Sequence, residues 1–276
     1  MATTDDRSVS FDLDDGRVLS ARRSGAATPR IAFVHGAGLN AHTWDRTIAA
    51  LDAPALALDL PGHGDSSWRD DADYSADALA PDIARALETW TSTPVVLVGH
   101  SLGGLASIVL ARDRPDLVAH LVLVDVLPEI ESGGLDMLRA FYARLEFASL
   151  DDALDHVESF GLGGSRQNAR RGIELNTRLR ADGALEWKHH MARILSPSAA
   201  DTSPRARAVT REELAAVAAP VSLVAGTRGF LGESALAAFR DARGDDALTV
   251  LDAPHNVQET HSADLASLVR SLAPTT

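Results

Sequence analysis

The sequence predicts an α/β protein, a doubly wound and mostly parallel sheet with an inserted helical cap. Three observations predict it. Short continuous apolar runs recur at Ile31–Val34, Ala55–Leu58, Val95–Val98 and Leu121–Val124, as strands buried on both faces require. Helix-spaced segments lie between them, so each strand returns to the sheet by a crossover, and right-handed crossovers leave helices on both faces. Strand character lapses from Leu127 to about Thr210 and returns at Val221–Ala225 and Leu248–Leu251. The block between reads as an insertion over one end of the sheet.

The elements follow in order. Val9–Leu13 and Val18–Arg22 alternate apolar and polar residues around Asp14-Asp15-Gly16, the pattern of a hairpin with one solvated face. Ala55–Leu58 runs into Asp59-Leu60-Pro61-Gly62. Asp77–Trp90 places Leu79, Ile83, Ala86, Leu87 and Trp90 at helical spacing. Val95–Val98 passes through Gly99-His100-Ser101 into a helix over Leu102–Ala111. The inserted block holds several helix-like pieces, punctuated by Gly161-Leu162-Gly163-Gly164 and Ser196-Pro197-Ser198, and no strand is expected there. A helix over Ala263–Leu272 closes the chain. The expected organisation is a core of residues 1–126 and 211–276 and a cap of residues 127–210.

A chain of 276 residues can bury the core that such a sheet needs. The formal net charge of −13 argues against nucleic-acid binding and against attraction to an anionic membrane. The sequence has no cysteine, which removes disulfides, thiolate metal sites and a cysteine nucleophile together. The stretch MATTDDRSVS has no apolar core, and no apolar run approaches the roughly 20 residues of a membrane span. A cytoplasmic setting is expected. No cofactor or metal is expected: His189-His190 lacks the i, i+4 spacing of a helical ligand pair, and Gly133-Gly134 and Gly163-Gly164 read as loops.

The chemistry concentrates at Gly99-His100-Ser101-Leu102-Gly103. This G-x-S-x-G sits between an expected strand and an expected helix, which is the context the motif requires. A sharp turn there strains the serine backbone, exposes its hydroxyl and sets it beside helix N-terminal amides. His35-Gly36-Ala37-Gly38 follows the strand at 31–34, where a second oxyanion donor is needed, so the amides of Ala37 and Leu102 are the candidate oxyanion hole. A serine hydroxyl needs an adjacent base. His255 follows the last strand and the nucleophile, in the order such sites use. Among rival histidines, His261 falls in the last helix and His189 and His190 in the cap.

On these residues, with Asp59-Leu60-Pro61-Gly62-His63-Gly64-Asp65-Ser66, the chain resembles the α/β-hydrolase superfamily over nearly its whole length. The resemblance implies that fold, and it implies a structural rather than catalytic part for Asp59 and His63. It leaves the substrate open, because the fold hosts many reactions.

One feature departs from the family pattern. The acidic member of the triad usually follows the strand at 221–225, but the sequence there is Gly226-Thr227-Arg228-Gly229-Phe230-Leu231-Gly232-Glu233. Some members carry the acid one strand earlier. Here that strand ends in Asp125, at the carboxyl edge where open α/β sheets place their sites. Asp125 is the expected acid, with Glu233 and Asp252 as rivals, and a turn-capping role for Asp125 as the alternative.

Phe141, Tyr142, Phe147, Phe160, Trp187 and Met191 lie in the insertion. Phe141, Tyr142 and Trp187, with Trp44 after the oxyanion loop, are the candidate pocket residues, although cap packing or the core accounts for such side chains equally well. The expected function is a serine hydrolase acting through an acyl-enzyme on a small hydrophobic carboxylic ester or lactone. A cofactor-free oxygenase or lyase, in which His255 deprotonates the substrate, and a non-enzymatic receptor for a small ligand are the alternatives.

Overall fold

The computed structural model describes residues 7–128, 138–160, 165–195 and 208–273. Gly133-Gly134, Gly161-Leu162-Gly163-Gly164 and Ser196-Pro197-Ser198 lie outside the described residues.

An eight-stranded sheet organises the molecule. Its strands are β1 (Arg7–Asp12), β2 (Val18–Ser24), β3 (Ile31–Val34), β4 (Ala55–Asp59), β5 (Val95–His100), β6 (Val118–Val124), β10 (Val221–Arg228) and β11 (Leu248–Pro254). Their spatial order is β1-β2-β4-β3-β5-β6-β10-β11. The β1–β2 and β2–β4 pairs are antiparallel, and the other five pairs are parallel. Successive residues of a strand face opposite sides, so the parallel strands fill two cores at once. Leu97, Leu121 and Leu123 pack on one side, with Leu79, Ile83 and Leu87 of helix α2 (Ala76–Trp90) and Ile108 of α3 (Leu102–Asp113). Val96, Val98, Val122 and Val124 pack on the other, with Ile48 and Leu51 of α1 (Asp45–Leu51). This is why the strands read as unbroken apolar runs rather than alternating ones.

Between β6 and β10, where an insertion is expected, the described residues are not purely helical. A three-stranded antiparallel sheet runs β7 (Glu146–Phe147), β9 (Leu185–Trp187), β8 (Thr177–Leu179). Helices α4 (Leu150–Ser159), α5 (Arg166–Asn176) and α6 (Met191–Leu195) accompany it. The expectation of no strand fails because these strands are two or three residues long, too short to show period two. The insertion has its own apolar cluster of Phe141, Tyr142, Phe147, Leu154, Ile173 and Trp187.

Hydrogen bonds from side chains and backbone tie these residues to the eight-stranded sheet's loops. Asn40 Nδ2 donates to Leu175 O (3.1 Å) and Asn176 Oδ1 (2.8 Å). Trp68 Nε1 donates to Lys188 O at 3.1 Å, and the His190 amide donates to Gly62 O at 2.8 Å. The Trp68 and His190 rings stack there, 4.3 Å apart.

Helices α7 (Arg211–Ala215) and α8 (Glu233–Arg243) precede the closing segment, which divides in two. Helix α9 (Val257–Thr260) precedes α10 (Ser262–Leu272), and His261 stands between them rather than inside the last helix.

Candidate active site

Ser101 joins β5 to α3 with φ 50° and ψ −122°. A non-glycine residue at positive φ costs about 1–3 kcal/mol and persists only where its surroundings impose it. Here the imposition is close packing of α3 on the end of β3. A Cβ on Gly103 would stand 2.4 Å from the carbonyl oxygen of His35, so only glycine fits the second turn position of the motif. The loop after β3 meets the serine directly, since a Cβ on Gly36 would lie 3.0 Å from Ser101 Cβ.

The two family motifs that flank this loop hold it in place. The Leu60 amide donates to His35 Nε2 (3.0 Å), and the Gly38 amide donates to His63 Nε2 (3.1 Å). Their Nδ1–H groups donate to Gly36 O (2.8 Å) and Pro61 O (3.0 Å). Asp59 accepts from the amides of Ala41 (2.8 Å) and Asp65 (3.1 Å). Burial depresses both histidines, His35 to about 4 and His63 to about 3, so both are neutral braces. The Gly38 amide is therefore engaged. Leu102 is the first residue of α3, and the first amides of a helix have no intrahelical acceptor. Ala37 sits half-buried at the tip of the loop.

Asp125 follows β6, fully buried and with φ 48°. Its carboxylate meets three donors. Oδ1 accepts from the Gly226 amide at 2.9 Å, and Oδ2 from the Phe230 amide at 2.8 Å. His255 Nδ1 lies 2.7 Å from Oδ2. A buried acceptor-only group is thus satisfied on both oxygens. The same bond puts the Nδ1 hydrogen toward Asp125 and leaves Nε2 as the basic nitrogen.

The rival acids stand elsewhere. Glu233 is exposed at the first position of α8 (Glu233–Arg243), and the Asp252 side chain is 82% exposed and pairs with Arg228. Of the rival histidines, His189 stands beside Tyr142 and Trp187, and His190 stacks on Trp68.

Sequence reasoning missed the residues that frame the His255 ring. Phe230 stacks on it at 3.8 Å between centroids, inclined by 17°. His100 stands 4.6 Å away, and its Nε2–H donates to the His255 carbonyl at 3.1 Å. Burial and the neighbouring His255 hold His100 well below the ordinary imidazole range, so it stays neutral. The missing acid after β10 was the available signal: a segment freed from supplying a carboxylate can supply amides and a ring.

The pocket expectations divide. Trp44 is placed in the core, fully buried and 5.0 Å from Phe33 in the cluster under α1. The apolar side of its 3-10 turn faces the sheet, the core position that the sequence left open beside the pocket. Phe141 and Trp187 contact each other at 5.4 Å and pack within the insertion, where Trp187 Nε1 donates to Arg144 O at 3.0 Å. Tyr142 differs, because its hydroxyl reaches out of that cluster to the loop after β3: a Cβ on Gly38 would fall 1.9 Å from it.

A parallel sheet with a strained serine at a strand-to-helix turn, and an Asp–His pair along the same edge, defines the α/β-hydrolase class. Comparison with known proteins agrees. The family model described as alpha/beta hydrolase fold matches residues 29–209, and the chain belongs to that family. It is 34% identical over 267 residues to the esterase Rv0045c of Mycobacterium tuberculosis, covering 93% of this chain and 87% of that one. A solved structure of that esterase, from a study of its transition-metal inhibition, superposes with a TM-score of 0.81 at 31% identity, covering 98% of this chain and 92% of that one. The structure of E-2-(acetamidomethylene)succinate hydrolase superposes with a TM-score of 0.79 at 26% identity, covering 96% and 99%.

Proposed function

We propose that the protein is a serine hydrolase of small carboxylic esters or lactones, with Ser101, His255 and Asp125 as its triad and residues 127–210 as a cap. The observation that carries the reading is the 2.7 Å contact of His255 Nδ1 with a fully buried Asp125, on the sheet edge that also bears the strained Ser101. The similarity to a mycobacterial esterase along nearly the whole chain supports the ester as substrate class. The cysteine-free sequence is compatible with a cytoplasmic setting.

In this mechanism His255 Nε2 removes the Ser101 proton as Oγ forms a bond to the ester carbonyl carbon. The carbonyl electron pair moves onto oxygen, where the Ala37 and Leu102 amides receive it. Asp125 fixes the tautomer and stabilises the imidazolium. Collapse expels the alkoxide, which takes the proton from His255. Water then attacks the acyl-enzyme by the same route and releases the acid and Ser101. With a lactone, the expelled alkoxide stays tethered until that second step.

Wild type and Ser101→Ala, incubated with short p-nitrophenyl esters and a fluorophosphonate probe, test the reading. Turnover and labelling are expected in the wild type. Both should vanish in the alanine variant, with a loss of at least about 10⁴-fold in kcat. A folded wild type inert to both reagents would overturn it.

A further inference from the structure

The mechanism above draws on two backbone amides for the oxyanion. A third donor stands next to them. Tyr142 is 4% exposed, and its ring is held between Phe141 (4.9 Å) and His189 (4.9 Å). Its hydroxyl abuts Gly38. Gly36, two residues back, abuts Ser101. The phenol and the nucleophile thus border one three-residue loop, touching it at Cα positions no more than about 7.6 Å apart.

Among the described residues nothing nearby takes the phenol hydrogen. His63 Nε2 already accepts from Gly38, and its Nδ1–H is spent on Pro61 O. His189 Nδ1 accepts from the Ala192 amide at 3.2 Å, so its Nε2 carries the hydrogen and is itself a donor. That Nε2 is buried without a partner. Among the described residues no hydrogen bond satisfies the hydroxyl. Burial also raises the phenol above its ordinary pKa, so it remains a neutral donor throughout the working range. A substrate oxygen at the loop would give this donor its acceptor.

We propose that Tyr142 donates its phenol O–H to the carbonyl oxygen of the bound ester, as a third oxyanion donor carried by the insertion. The assignment rests on the serine-hydrolase reading above. It makes the oxyanion hole a joint product of the sheet domain, which supplies two amides, and the inserted layer, which supplies the phenol.

The test compares wild type with Tyr142→Phe, which keeps the ring and removes only the donor. With p-nitrophenyl acetate and butyrate, kcat should fall on the order of 10²-fold, with KM little changed and end-point labelling of Ser101 retained. Affinity for a trifluoromethyl ketone, which forms an oxyanion adduct, should fall by a similar factor, while affinity for the matching methyl ketone stays within threefold. A kcat within threefold of wild type, or equal losses for both ketones, overturns the assignment while leaving the hydrolase reading intact. Failure of that reading is recognised separately, by wild type that neither turns over nor labels, and it removes this assignment as well. A variant-free measurement guards against misfolding. The chain has only two tyrosines, so in 3-fluorotyrosine protein the Tyr142 resonance, identified by its persistence in Tyr74→Phe, must shift when the trifluoromethyl ketone adduct forms; an unmoved resonance overturns the assignment.

Discussion

The Phe230 amide donates to Asp125 Oδ2 at 2.8 Å, the same oxygen that His255 Nδ1 approaches at 2.7 Å. The segment after β10 thus serves the carboxylate it does not supply. The amides of Gly226 near the end of β10 and of Phe230 beyond it grip Asp125, and the Phe230 ring covers His255.

From this arrangement Asp125→Asn is expected to lower kcat by about 10⁴-fold, because an amide no longer enforces the tautomer that leaves Nε2 basic. Glu233→Gln, exposed on α8, should leave kcat within twofold. Ester turnover of the two variants side by side checks it. Small and equal losses would remove Asp125 from the triad.

Gly229 is the tightest point of the clamp, where a Cβ would stand 2.2 Å from both Asp125 oxygens. Gly229→Ala must displace either the carboxylate or the Phe230 amide. A loss of kcat of roughly tenfold or more is expected, since misplacement by about 1 Å can cost 10²-fold. Gly232→Ala, where a Cβ meets nothing within 4 Å, is the control and should be neutral. Equal activities in the two variants would show that the clamp does not set the geometry of the site.

Trp44 is fully buried in the core cluster under α1. Trp44→Ala should therefore destabilise the fold by about 3–5 kcal/mol in chemical denaturation. The folded fraction should keep the KM of wild type. A raised KM with unchanged stability would return Trp44 to the substrate site.

Acid should weaken the fold before it touches most carboxylates. His35, His63, His100 and His189 are all buried and neutral, with depressed pKa values, about 4 for His35 and about 3 for His63. An unfolded histidine titrates near 6.5. Their contribution is complete above that pH and is lost as pH falls toward the folded values, because the unfolded chain binds protons that the folded chain refuses. Each contributes up to about 1.4 kcal/mol per pH unit in that window. Burial raises Asp59 and Glu259, which act in the opposite sense but are fewer. Denaturation free energy should fall between pH 7 and pH 5, and His63→Gln should flatten the slope. A profile level across that range would contradict this account.

The parallel strands announced themselves because both faces of each are buried, so Val95–Val98 and Leu121–Val124 carry no polar residue. The turn at Ser101 was legible because its glycines answer to the backbone they touch, as Gly103 does to His35 O. Asp125 and His255, 130 residues apart, could be paired only through chain order and the gap after β10. Contacts between elements left no such mark. Nothing in the local pattern says that Phe230 stacks on His255, that Trp44 faces the sheet, or that Tyr142 leaves its cluster to touch Gly38. Nor could strands of two and three residues show a period. The sequence determined what is repeated or sterically forced along the chain: the sheet, the strained serine and the order of the triad candidates. The tertiary structure decided which side chains from distant elements share a space, since that depends on packing directions that no stretch of sequence encodes by itself.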